Sequence, residues 1–140
     1  MEIKGVNHMK PSINSKLSLV GVAIDLGAGT PGVSLGPAAI RYAGIVERLE
    51  NIGYDVVDQG DIVAIKPASP HSEGTNLKNL DEVTRVNTEL CNKVSNIMEE
   101  GRFPLVLGGD HSIAIGTIAG VLQHKSNLGV IWFDAHGDIN

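Results

Sequence analysis

A chain of 140 residues with 42% hydrophobic and 19% charged side chains has the makings of its own core, which excludes a disordered tail or a low-complexity linker. The net charge of −5 comes with no basic block, so nucleic acid and acidic membrane surfaces are excluded as main partners, while a small or cationic ligand is compatible. The single cysteine, Cys91, forms no internal disulfide, and no apolar run has the length of a signal peptide or a membrane span. Together these point to a reducing cytoplasm.

Residues Met1 to Lys16 are polar, contain Pro11 and lack a hydrophobic period. They read as a flexible leader, in which Met9-Lys10-Pro11 is an alternative start and His8 is not a ligand. Leu17 to Ala23 is aliphatic and β-branched, the composition of a parallel strand buried on both faces. Beyond it, Gly27, Gly29 and Gly32 match G-x-G-x-x-G by the letter. A dinucleotide site needs a helix opening within the glycines and an acid about 20 residues on. Pro31 stands where that helix should already run, and Asp55 and Asp58 come late, so the stretch is predicted to be an active-site loop.

Pro37 occupies the tolerated first turn of a predicted helix in which Ile40, Ala43, Val46, Leu49 and Ile52 recur at helical spacing, with Gly53 as its C-cap. Arg41, a turn inside, is predicted to form a surface or inter-element ion pair rather than to bind substrate. Tyr54 to Val57 is a second strand, continued along the sheet edge by Gly60 to Ile65, and Lys66 to Thr75, with His71, is loop. Leu77 to Glu100 is the longest helix, with Leu80, Val83, Val86, Leu90, Val94 and Ile97 as its apolar stripe and Cys91 beside it. Pro104 to Leu107 is a third strand. Ile113 to Gln123 is the next helix, thinned by Gly116 and Gly120 for close packing and followed by His124, placed to meet the helix dipole. Leu128 to Phe133 is a fourth strand. This alternation predicts an α/β fold, one doubly wound parallel sheet flanked by helices, with residues 17–140 in a single domain.

The chemistry gathers at two strand ends. Asp134, His136 and Asp138 alternate after the apolar run, so an extended backbone sends all three side chains to one side. Two carboxylates around an imidazole suit Mn²⁺ better than a thiolate-loving metal, and without a cation such acids repel. Upstream, the third strand runs into Gly108-Gly109-Asp110-His111-Ser112. Open α/β sheets place their sites at the carboxyl edge, where both clusters emerge. Asp110 and His111 should point opposite ways, which makes Asp110 a turn-stabilising residue and not a ligand.

The pair GGDHS and DAHGD, together with Gly32-Val33, Gly36-Pro37 and Arg41, resembles the ureohydrolase family of arginases, agmatinases and formiminoglutamases. The resemblance runs from about Leu17 to Asn140 and matches the amino-terminal half of a ureohydrolase, so the sheet is expected to stop short of the carboxyl-terminal half. Where many members carry basic residues before the Gly-Val, this sequence has Thr30-Pro31.

The resemblance implies a guanidino substrate hydrolysed to urea and an amine, with two Mn²⁺ ions activating the water. It implies that His111 binds one ion and His136 the other, that Asp134 bridges them and that Asp138 completes the first ion's set. It assigns no catalytic proton relay to the residues present, since the family's relay histidine and further metal aspartates come later. Asp138-Ile139-Asn140 is similar to the arginase version, in which Asn140 would contact the substrate's α-carboxylate, and Asp25-Leu26-Gly27 is similar to bacterial arginases. Arginase therefore leads, with agmatinase or a noncatalytic arginase-derived fragment as alternatives. A homo-oligomer is expected of the complete protein.

Overall fold

The structure, a computed structural model, describes residues 15–28, 31–68 and 77–135. The leader up to residue 14, Gly29 and Thr30, and His71 in its loop lie outside the described residues. Strand β1 (Lys16–Ala23) is the middle of a parallel sheet ordered β2-β1-β3, with β2 at Asp55–Val63 and β3 at Phe103–Gly108. Its aliphatic composition follows from that position, because a central parallel strand is covered on both faces. Leu17 and Leu19 face one layer, with Leu107, Ile45, Val46 and Leu49. Val20 and Val22 face the other, with Val86, Leu90, Val94 and Ile97 of helix α3 (Leu80–Glu99). Helices α1 (Gly36–Tyr42) and α2 (Ile45–Asn51) thus cover one side, while α3 and α4 (Ile113–Leu122) cover the other. The doubly wound α/β architecture is as the sequence predicts.

The expected single helix from Gly36 to Gly53 is broken in two. Gly44 adopts φ 81°, a left-handed conformation that ends α1 and restarts the chain as α2. The reset moves the buried side to Ile45, Val46 and Leu49, and leaves Ile40 and Ile52 of the predicted stripe exposed. Arg41 at the end of α1 makes the predicted inter-element pair. It forks onto Asp58 (Nε to Oδ2 2.7 Å, Nη2 to Oδ1 2.9 Å), donates to Asp61, and gives a further bond to the Gly60 carbonyl at 3.2 Å. Those residues bracket a bulge, since β1 advances from Leu19 to Gly21 while β2 advances from Asp58 to Asp61, leaving Gln59 and Gly60 opposite Val20. Arg41 pins that bulge, and its hydrogen bond is the main reason the Asp58 carboxyl lies below its ordinary range. Side-chain room comes from Gly21, where a Cβ would stand 1.8 Å from Asp61 Oδ1.

Between α3 and α4 the predicted close packing is present. A Cβ on Gly116 would lie 2.5 Å from the Asn87 carbonyl and one on Gly120 2.6 Å from that of Cys91. Asn87, buried at this crossing, accepts the Gly116 N–H at 2.7 Å and donates to the Val83 carbonyl at 2.9 Å. Cys91 is half-buried and accepts a contact from the Gln123 amide at 3.3 Å. His124, just past the end of α4, ties the same two helices through a 2.8 Å contact between Nε2 and the Ser95 hydroxyl.

The amino edge of the sheet is closed by Arg102, which donates to Ser18 Oγ at 2.8 Å and to the Leu17 and Asp55 carbonyls at 2.6 and 2.7 Å. That accounts for a serine fully buried in an apolar strand. The predicted fourth strand, Leu128 to Phe133, is not hydrogen-bonded into the sheet. A parallel strand draws its support from packed layers and a neighbour on each side. The described residues leave Ile131 83% and Phe133 91% exposed, so that support is lacking among them. Among the described residues no helix is long and apolar enough to cross a membrane.

Candidate metal centre

The carboxyl edge of the sheet is organised around Asp110. Its backbone N–H continues the β1–β3 ladder onto the Ile24 carbonyl at 3.1 Å, while Gly109 donates to the Val22 carbonyl at 3.4 Å. Only glycine fits at 109, because a Cβ there would lie 2.4 Å from the Ile24 carbonyl oxygen and 2.7 Å from that of Val22. This close approach turns the buried Asp110 side chain inward. Oδ2 accepts the N–H groups of Gly27 (2.8 Å) and Ala28 (3.1 Å), and Oδ1 accepts the Ser112 N–H (3.0 Å) and its hydroxyl. The predicted turn-stabilising role is met, while the side chain of His111 is 62% exposed.

The glycine loop is held by carboxylates at both ends. Asp25 Oδ2 accepts the Gly32 N–H at 3.0 Å and the Ser34 hydroxyl at 2.9 Å. Those two donors, the Gly32 N–H foremost, keep the Asp25 carboxyl below its ordinary range. A phosphate cradle needs backbone N–H groups directed at the ligand. Here, among the described residues of the loop, the N–H groups of Gly27, Ala28 and Gly32 already serve Asp110 and Asp25, which weighs against the dinucleotide reading on a second ground. A cavity of about 620 Å³ opens beside the loop against Leu26, Lys66 and Asn79; neither His111 nor Asp134 lines it, so it is separate from the candidate cation site.

Of the four residues singled out as ligands, two are described, and they meet. His111 Nδ1 lies 3.0 Å from Asp134 Oδ2, with the Asp134 side chain only 7% exposed. Neighbouring corners of an octahedron with bonds of roughly 2.1 Å are about 3 Å apart, so the pair has the spacing of two ligands on one hard divalent cation as well as that of a hydrogen bond. Trp132 completes the cluster: its indole N–H donates to the same Oδ2 at 3.3 Å, and its ring meets the imidazole in a T-shaped contact at 5.4 Å. The spacing that singles out DxHxD carries no signal for Trp132. His136, Asp138 and Asn140 lie outside the described residues. Among the described residues no group of three or more His, Cys, Asp or Glu gathers to hold a metal ion. One imidazole and one carboxylate fit the chemistry of a Mn²⁺ site in kind, and fall short of it in number.

These features define an open α/β protein with a candidate cation site at the carboxyl edge of its parallel sheet. Residues 15–140 match the sequence profile of the Arginase family. The arginase of Brevibacillus brevis is 59% identical over 128 residues, which make up 91% of this chain and 43% of that protein. The crystal structure of arginase from Bacillus cereus is 60% identical, with a TM-score of 0.77 over 89% of this chain and 40% of that one. Native arginase from Bacillus caldovelox is 53% identical, with a TM-score of 0.82 over 89% and 42%. The chain belongs to the arginase family, and it spans about two fifths of the length of these relatives.

Proposed function

We propose that this chain carries the amino-terminal share of an arginase centre that hydrolyses the guanidinium group of L-arginine to ornithine and urea with two Mn²⁺ ions bound. The observation that carries the reading is the meeting of His111 and Asp134 at 3.0 Å on the carboxyl edge, in a chain of the arginase family. When bound, Mn²⁺ supplies a Lewis acid that makes water nucleophilic near neutral pH. His111 would hold one ion and His136 the other, with Asp134 shared between them and Asp138 completing the first set. Asn140 receives the α-carboxylate of the substrate, which favours arginine over agmatine, a molecule without that group. Asp110 binds no ion; it fixes the backbone from which His111 projects, through its bonds to Gly27, Ala28 and Ser112. A homo-oligomer in the cytoplasm belongs to the same reading.

The 140-residue polypeptide by itself is proposed to be catalytically silent. Two Mn²⁺ ions would bring four positive charges, of which Asp134 and Asp138 would offset two, so a second ion would be held more weakly than the first. Calorimetric Mn²⁺ titration and a urea assay with arginine and agmatine, on this chain and on a carboxyl-extended one, test the reading. We expect at most one weak Mn²⁺ site and no urea from the 140-residue chain, and no Mn²⁺ binding after Asp134→Asn. Arginine turnover is expected from the extended chain. Two tight sites or urea release by the 140-residue chain overturn the account, and urea from agmatine alone moves the protein to the agmatinases.

A further inference from the structure

We infer that the bare face of α4 and the outer edge of β3 form an association surface whose occupant is the carboxyl-terminal share of an arginase-family chain. The inference rests on the reading above of this chain as the amino-terminal share of such a centre. Helix α4 shows the need first. Its ten residues carry no charge, and its side-chain hydroxyl, on Thr117, is spent on the Ile113 carbonyl at 2.9 Å. A helix that is apolar all round belongs inside a protein and not on its surface. Yet the buried residues of α4 are Gly116 and Gly120, which let it press on α3. Ile113 and Val121 pack against the core, while Ile115 is 66% and Leu122 49% exposed.

The sheet is unfinished on the same flank. β3 is its last strand, and among the described residues nothing pairs with the outer edge of β3. Helix and edge are neighbours, since a Cβ on Gly108 at the end of β3 would stand 2.5 Å from Cδ1 of Ile113. The stretch with Val130 54%, Ile131 83% and Phe133 91% exposed runs to the same corner, where Asp134 meets His111. Exposed apolar surface of this extent marks an interaction site. Its chemistry prescribes an apolar layer that offers a strand to β3 and needs no charge to match α4. Chain length says where such a layer comes from: more than half of each arginase relative lies outside the match to this chain. A second copy brings the same unfinished flank instead of a layer built to cover it.

The test pairs the whole 140-residue chain, carrying an affinity tag, with the part of the Brevibacillus brevis arginase outside the match, the two produced together in one cell. We expect the second polypeptide to be retained in equal amount and to stay when salt is raised, because α4 has no charge to screen. Ile115→Asp should raise the Kd on the order of thirtyfold. It keeps the fold, since an acid is favourable in the first turn of a helix, and circular dichroism checks this. Tyr42→Asp, 95% exposed at the end of α1 across the sheet, should leave retention unchanged. Where the separate polypeptide does not stay soluble, a carboxyl-extended chain decides: in a Cys91→Ser background, alkylation at Ile115→Cys should be on the order of tenfold slower there than in the 140-residue chain. Equal alkylation in the two chains overturns the inference, as does equal loss of retention in Tyr42→Asp. A 140-residue chain that sediments as a dimer, broken by Ile115→Asp, also overturns it, because a second copy then fills the face. Association with no urea from arginine and Mn²⁺ leaves the inference standing and brings down the proposed function. Urea from an extended chain alkylated as fast as the short one does the reverse.

Discussion

Replacing Asp110 by asparagine changes one atom in kind and tests the clamp on which the carboxyl edge depends. The carboxylate accepts four bonds, two on Oδ2 from Gly27 and Ala28 and two on Oδ1 from Ser112. An amide has one acceptor oxygen and one NH₂, so it serves one side and presents donors to the other. The better orientation keeps the oxygen on Gly27 and Ala28. Ser112 then rotates its hydroxyl to accept from the NH₂, and its backbone N–H is left facing a donor. The cost is one part-buried backbone donor without a partner, about 1–3 kcal/mol, together with the weakening of charge-assisted bonds to neutral ones. We expect Asp110→Asn to destabilise by about 2–3 kcal/mol, and Asp110→Ala, which abandons every donor, by about 4 kcal/mol. Urea unfolding followed by far-ultraviolet circular dichroism measures this, with an unchanged m-value showing that the loss lies in the folded state. An Asp110→Asn protein within about 0.5 kcal/mol of the parent would falsify the clamp, since that is the range of surface changes that touch nothing.

Gly21→Ala places a Cβ 1.8 Å from Asp61 Oδ1 and 2.8 Å from Arg41 Nη1, so the Asp61 carboxylate must swing away while the Asp58 fork survives. A loss of about 1–2 kcal/mol is expected, part of it recovered by adding Asp61→Ala in the same chain; a neutral single variant refutes the tight fit. Acid sensitivity follows from Asp58, whose carboxyl is held below its ordinary value chiefly by the hydrogen bond from Arg41. Its folded-state pKa is lower than the unfolded one, so the stabilisation is complete above the unfolded value and is lost as pH falls through the folded value. Tm should therefore decline below about pH 5 and decline less steeply in Asp58→Asn; parallel acid limbs for the two proteins would contradict this.

Much of the fold is legible where burial leaves a mark on composition. Leu17 to Ala23 and Pro104 to Leu107 are aliphatic because parallel strands are covered on both faces, and the stripe from Val86 to Ile97 is the face α3 turns to them. Gly44 was illegible because a glycine inside a helical period reads as a tolerated one; nothing local states that its φ is positive. Ser18 did carry a usable signal, since a hydroxyl in such a strand demands a partner. Which residue would supply it was another matter: Arg102 comes from a turn 84 positions away in the chain. At the site, Asp110 is buried on the N–H groups of the glycine loop while His111, the next residue, is 62% exposed and meets Asp134, so the two residues of the GGDHS turn serve different partners, as the sequence suggests. The fourth strand is not, because alternation describes a strand that exists and cannot provide the neighbour that makes it one.

The glycine loop shows most clearly why a motif's letters and its chemistry part company. Glycines let a backbone come close to whatever lies opposite and turn its N–H groups toward it, and that requirement is the same for a phosphate and for a protein carboxylate. At Gly27 a Cβ would stand 3.0 Å from the Cβ of Ser112 and 3.1 Å from Asp110 Oδ1, so the absent side chain is what lets the loop reach the clamp. Asp110 takes one end and Asp25 the other. The anion that the glycines receive is thus supplied by the chain itself. What this secures is the join between the end of β1 and the β3–α4 turn, the two backbone pieces whose relative position decides where His111 points. A substitution that frees those N–H groups would not uncover a nucleotide site; it would loosen the platform beneath the imidazole.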